Sequence, residues 1–152
     1  MNDDWETPCW LRRVFEGWDD PCPMGGADNG GDALLREWGQ KTFANIPYSR
    51  GNIDRFVEKA ILEARCGKVI VLLVRVDPST RWWLKLVAAG AHFAPFFGRV
   101  TFEGGRIGGS NTPIALVFLV RPPPPNMDVV KTGHLEAASE AADRPSRLLY
   151  ND

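Results

Sequence analysis

The chain has 152 residues, 44% of them hydrophobic, and a formal net charge of −1, which suits one domain with a single core. The near balance of charge excludes the whole-chain basicity of many nucleic-acid binders, so any such contact is local. Cys9, Cys22 and Cys66 form no Cys-x-x-Cys pair, and only His92 and His134 could join them, which argues against a structural zinc site. No apolar run approaches the ~18 residues of a membrane span, and the acidic start has no signal-peptide core. A soluble, cytoplasmic protein with no membrane partner is expected.

In chain order, residues 10–17 have the makings of a helix, whereas residues 22–31 are rich in Gly, Pro, Asp and Asn and read as a loop. Residues 42–45 form a short strand that runs into Ile46, Pro47 and Tyr48, where Pro47 forbids ordinary continuation. Residues 52–65 have helical spacing, with Ile53, Phe56, Val57, Ala60, Ile61 and Ala64 on one face and Cys66-Gly67 as the stop. The apolar run 69–74 predicts a central, parallel strand covered on both faces by helices. A Ser or Thr cap within residues 77–80 opens a helix over 81–89, and Gly90 closes it. Residues 92–102 and 113–120 read as two strands joined by a Gly-rich turn at 104–109, an antiparallel pair on the sheet edge. The fold class is therefore α/β, a mostly parallel sheet with a terminal antiparallel hairpin. Residues 1–121 form the domain, and the Pro run 122–125 begins a linker and weakly held tail reaching residue 152.

Asn45, Ile46, Pro47 and Tyr48 follow a strand directly, and ligands of open α/β sheets bind beyond the carboxyl ends of strands. An amine on a heteroaromatic ring is a poor nucleophile because its lone pair is delocalised. The Asn45 side-chain oxygen and the Ile46 carbonyl could accept its two hydrogens and favour a pyramidal nitrogen. Tyr48 would stack on the ring, worth about 1–3 kcal/mol. Taken alone, the tetrapeptide is equally well a turn after a strand.

Its neighbours decide the weighting. Trp5-Glu6-Thr7-Pro8, Asp20-Pro21-Cys22, Asp32-Ala33-Leu34 followed by Trp38, and Asn45-Ile46-Pro47-Tyr48-Ser49 occur in the order found in phage-type DNA N6-adenine methyltransferases. The resemblance continues through Glu63-Ala64-Arg65-Cys66-Gly67, Thr80-Arg81-Trp82 and Gly98-Arg99-Val100-Thr101-Phe102, and covers about residues 5–120. It implies a single Rossmann-like domain using S-adenosylmethionine to methylate the adenine N6 of DNA, in a prokaryotic host and of phage or prophage origin. By the same resemblance Thr7, Pro8, Asp20 and Pro21 line the methionine end of the cofactor, and Asp32 lies near its adenosine. Residues 45–48 match the catalytic motif, and Gly98, Arg99 and Phe102 match an element near the target base or its backbone.

Several residues depart from the family pattern. Ile46 replaces the usual first Pro, which acts through its carbonyl; Ala33 replaces a common Gly; and Val74-Arg75-Val76-Asp77 stands where Leu-Pro-Ala is usual. The short interval from Asp20 to Asn45 implies an abbreviated cofactor-binding half, either pared down or completed by a second subunit in a homodimer. Of the cations at predicted strand ends and loops, Arg50 and Arg99 are the expected DNA contacts, and the others, Arg75 among them, read as solvated surface. The tryptophans read as core or interface aromatics, the Gly pairs of 25–31 lack the Lys of a P-loop, and Cys22 reads as a small buried residue. Cytosine N4 poses the same chemical problem as adenine N6, and a non-catalytic DNA- or protein-binding module on the same fold is the other alternative.

Overall fold

The computed structural model describes residues 6–23, 31–48, 51–103 and 110–120. The expected Gly-rich turn 104–109, the tail 122–152, and Trp5, Ser49 and Arg50 lie outside the described residues. Four helices and four strands follow in the order α1 (Cys9–Val14), α2 (Gly31–Leu35), β1 (Lys41–Asn45), α3 (Asn52–Arg65), β2 (Val69–Arg75), α4 (Arg81–Ala88), β3 (His92–Pro95) and β4 (Ile114–Leu119).

The sheet order is β1-β2-β4-β3. β1 and β2 are parallel, with Asn45 opposite Leu73; β2 and β4 are antiparallel, as are β4 and β3. The sheet is thus mixed, and the expectation of a mostly parallel sheet is corrected, since β2 is parallel to one neighbour only. An apolar run reports that both faces of a strand are covered, not which way its neighbours point. The expected antiparallel pair is present at one edge of the sheet, with β3 outermost and β4 between β3 and β2. The strand predicted over 92–102 ends at Pro95, whose nitrogen offers no donor, and the chain turns at Gly98, φ +78°.

β2 divides the core by its alternation. Ile70, Leu72 and Val74 pack with Phe56, Val57 and Ala60 of α3, Trp82, Trp83 and Leu86 of α4, and Trp38. Val71 and Leu73 face the other way, onto Leu11 of α1, Phe43, Val100, Phe102 and Ile114. Helices cover the first face as expected, but the second is covered by the short α1 together with the irregular segment around Val100 and Phe102. The α3 boundaries agree with its periodicity, and Gly51 opens it in the left-handed conformation, φ +74°. Glu63 is buried on that helix, whereas Ile61 is only partly so. Thr80 occupies the α4 N-cap, but its hydroxyl donates to the Asp77 carbonyl at 2.8 Å and makes no cap bond. Among the described residues no helix is long and apolar enough to cross a membrane.

Candidate active site

The parallel pairing of β1 and β2 brings their carboxyl ends together. Asn45 closes β1, and Ile46 and Pro47 continue from it with buried side chains, so the core fixes the course of the chain just past the strand. Asn45 follows Phe43 by two residues and shares its sheet face, the one that carries α1. Tyr48 reaches across to β2, where its hydroxyl accepts the Arg75 backbone N–H at 2.6 Å. The Arg75 guanidinium carbon lies 4.2 Å from the Tyr48 ring centroid, and Trp82 meets the ring edge-on at 6.2 Å. Burial raises the Tyr48 pKa to about 12, against the hydrogen bond and charge of Arg75, so the phenol is neutral near pH 7.

Asp20 and Pro21 are guided toward the same end of the sheet. Asp19 bridges Thr42 in parallel: its N–H donates to the Lys41 carbonyl at 2.9 Å and its carbonyl accepts the Phe43 N–H at 2.9 Å. The chain beyond Asp19 therefore leaves in the direction of β1. Asp19 itself is committed, since both its oxygens accept Arg36 at 2.9 Å and one also takes the Gly39 N–H at 2.8 Å. Asp20 Oδ1 accepts the Cys22 N–H at 2.9 Å. Although the residue as a whole is exposed, partial withdrawal of its carboxyl from water and the Asp19 charge raise its pKa, against that N–H. Asp32 is exposed in the first turn of α2. Arg36, raised above its ordinary pKa chiefly by its hydrogen bonds to Asp19, also feels the Asp32 charge.

Thr7 and Pro8 are buried at the start of α1. An antiparallel bridge from Glu6 to Glu103 ties them to the segment carrying Arg99 and Phe102, and Glu103 also accepts the Cys9 N–H at 2.6 Å and Arg12 at 2.8 Å. Arg99 is exposed, but Phe102 is buried in the core beneath α1, so its side chain supports that segment rather than facing solvent. β3 runs parallel to β2 through their common neighbour β4, so the turn after Pro95 emerges at the same sheet end as Asn45. There Phe97 is fully exposed while Phe96 packs edge-on against Trp10 at 5.7 Å. Cys22 is half-buried, and burial raises its thiol pKa, which leaves it a poor nucleophile. Among the described residues no group of three or more His, Cys, Asp or Glu side chains could hold a metal ion.

The model of the family described as DNA N-6-adenine-methyltransferase (Dam) matches residues 27–140. The chain belongs to the Dam family. The match takes in Asp32, residues 45–48, Arg50, Arg99 and Phe102, whereas Thr7, Pro8, Asp20 and Pro21 precede it. No curated protein and no solved structure matches the chain. Sequence reasoning passed over Arg75, which the fold brings against Tyr48, and Phe97, which it leaves exposed at the same end of the sheet. Arg75 was one cation among several, and its contact with Tyr48 is tertiary; Phe97 stood in an apparent strand and emerges on a turn.

The cofactor of a methyltransferase of this kind is S-adenosylmethionine, which carries a sulfonium and an ammonium group. The carboxylates of Asp20 and Asp32 suit such a cation, and a cation beside Asp20 would reverse the conditions that raise its pKa. The residues present fit the group.

Proposed function

We propose that the chain is an S-adenosylmethionine-dependent DNA methyltransferase acting on the exocyclic N6 amine of adenine. The observation that carries this reading is the position of the Asn45, Ile46, Pro47, Tyr48 motif, at the carboxyl end of a parallel strand in a chain of the Dam family. The four-stranded sheet is then a Rossmann-like core with a shortened cofactor half. Residues 1–121 constitute the domain, with 122–152 appended.

In this reading the target base leaves its duplex, because its amine is otherwise paired. Asn45 Oδ1 and the Ile46 carbonyl accept the two amine hydrogens, which localises the nitrogen lone pair as the transition state requires. The base stacks on the Tyr48 ring, which Arg75 and Trp82 hold in place. Asp20 and Asp32 hold the cofactor, with Thr7, Pro8 and Pro21 shaping its surroundings. S-adenosylmethionine, when bound, supplies the electrophilic methyl group. Arg50 and Arg99 contact the DNA backbone, and Phe102 braces the segment that presents Arg99. The amine is held and oriented by this chain, and orientation supplies much of the acceleration.

Mass spectrometry of nucleosides from an unmethylated host expressing the protein tests the reading. N6-methyladenine is expected with the unmutated protein and absent with Asn45→Ala. N4-methylcytosine would change the base and keep the amine-holding role of Asn45, and the absence of any methylated base would contradict the reading.

A further inference from the structure

Arg75 ends β2 beside Tyr48 and engages that side chain twice. Its backbone N–H fixes the phenol oxygen, and its guanidinium covers one ring face, with the carbon 4.2 Å from the centroid. The ring is thereby fixed at its hydroxyl, covered on one face by the guanidinium and packed edge-on against Trp82.

The guanidinium is satisfied only in part. Its Nε is buried and has no hydrogen-bond partner among the described residues, and Arg75 enters none of the described ion pairs. A buried charged donor left unpaired is unfavourable. Lys68, the other cation deep in the domain, shows the ordinary solution, with two carboxylates and a carbonyl within 2.8 Å. A half-buried guanidinium whose Nε is buried and unpartnered among the described residues, at the carboxyl end of parallel strands and stacked on Tyr48, has the character of a group whose partner arrives with a ligand.

The geometry points to Arg75 as an anion-binding residue of this site, its Nε–H satisfied by an anionic oxygen of a bound ligand. The inference rests on the methyltransferase reading, whose two ligands each carry such an oxygen: the cofactor's α-carboxylate and the DNA phosphate flanking the target base. The shared chemistry is a planar, charge-assisted contact that guanidinium makes better than an ammonium group. In either case Arg75 couples ligand arrival to the placement of Tyr48.

Calorimetric binding of S-adenosylhomocysteine and of its decarboxylated analogue, to the unmutated protein and to Arg75→Gln, tests the first source. Loss of the carboxylate should weaken binding to the unmutated protein about tenfold to a hundredfold, and should make no difference to Arg75→Gln. For the second source, the salt dependence of affinity for a duplex carrying the methylated site should fall in slope by about 0.9 in Arg75→Gln, the loss of one phosphate contact. A role confined to bracing Tyr48 would move neither the carboxylate preference nor the slope. An Arg75→Gln protein that keeps its melting temperature, its preference and its slope overturns the inference. Arg75→Met, which retains an apolar stem over the ring, carries the same comparison if the glutamine variant does not fold. If the unmutated protein binds neither S-adenosylhomocysteine nor DNA, the methyltransferase reading falls first and the inference with it.

Discussion

At the amino end of β1 and β2, buried charges are met by opposite charges, whereas at the carboxyl end the Arg75 Nε has no partner among the described residues. Lys68, just before β2, donates to Glu63, Glu37 and the Trp38 carbonyl. Glu63 also accepts the Trp38 N–H and pairs with Lys59, and Asp19 nearby is saturated by Arg36 and Gly39. The opposite end combines Asn45, Tyr48 and Arg75 with the chain that leads to Asp20. One end holds the strands together, and the other is the site of the proposed function, so substitutions at the two ends should separate stability from function.

The largest effect expected is on stability. Lys68→Met leaves the buried Glu63 carboxylate with only Lys59 and the Trp38 N–H and should cost about 3 kcal/mol in a denaturant titration, the lower end of the range for a broken buried pair. The pH dependence of the same network has two limits. Burial opposes the charge of Glu63, but Lys59, Lys68 and the Trp38 N–H hold its pKa below the ordinary glutamate value; its contribution is lost as pH falls through that lowered value. Burial likewise opposes the charge of Lys68, but Glu37 and Glu63 raise its pKa; its contribution is lost as pH rises through a value above that of ordinary lysine. Stability from this pair is therefore retained across the neutral range, and Lys68→Met should flatten both limits.

Next in size is Asn45→Ala, which removes an acceptor for the amine. It should lower kcat about a hundredfold to a thousandfold and leave the unfolding midpoint close to that of the unmutated protein. A smaller effect is expected at Asp20, where cofactor affinity should weaken as pH falls through the raised pKa of this carboxyl. Asp20→Asn should bind about tenfold more weakly at neutral pH and lose that pH dependence. Least of all, Arg99→Ala should leave turnover at saturating DNA unchanged and reduce the salt slope of DNA binding by about 0.9.

The same contrast explains how much could be read from the sequence. The bounds of α3 and the central place of β2 follow from local periodicity, and the end of β1 at Asn45 was legible because Pro47 interrupts the strand. Strand direction was not legible, because the β2 run has the same apolar composition whether β4 lies parallel or antiparallel to it. Glu63 was passed over because a carboxylate on an apolar helix face is buried only by virtue of Lys68 and Trp38, partners supplied by tertiary structure. Arg75 was passed over for the same reason. Phe102, expected beside DNA, is buried instead, and alternation within a presumed strand could not reveal that Val100 and Phe102 pack in the core with Leu11 of α1.

The most direct test of the account measures methyl transfer into DNA by Asn45→Ala and by Lys68→Met, beside the unfolding midpoint of each, at a temperature where both are folded. The account predicts that Asn45→Ala loses transfer at least about a hundredfold with its midpoint unchanged, and that Lys68→Met keeps transfer while its midpoint falls. An Asn45→Ala protein that transfers methyl groups as the unmutated chain does would contradict it.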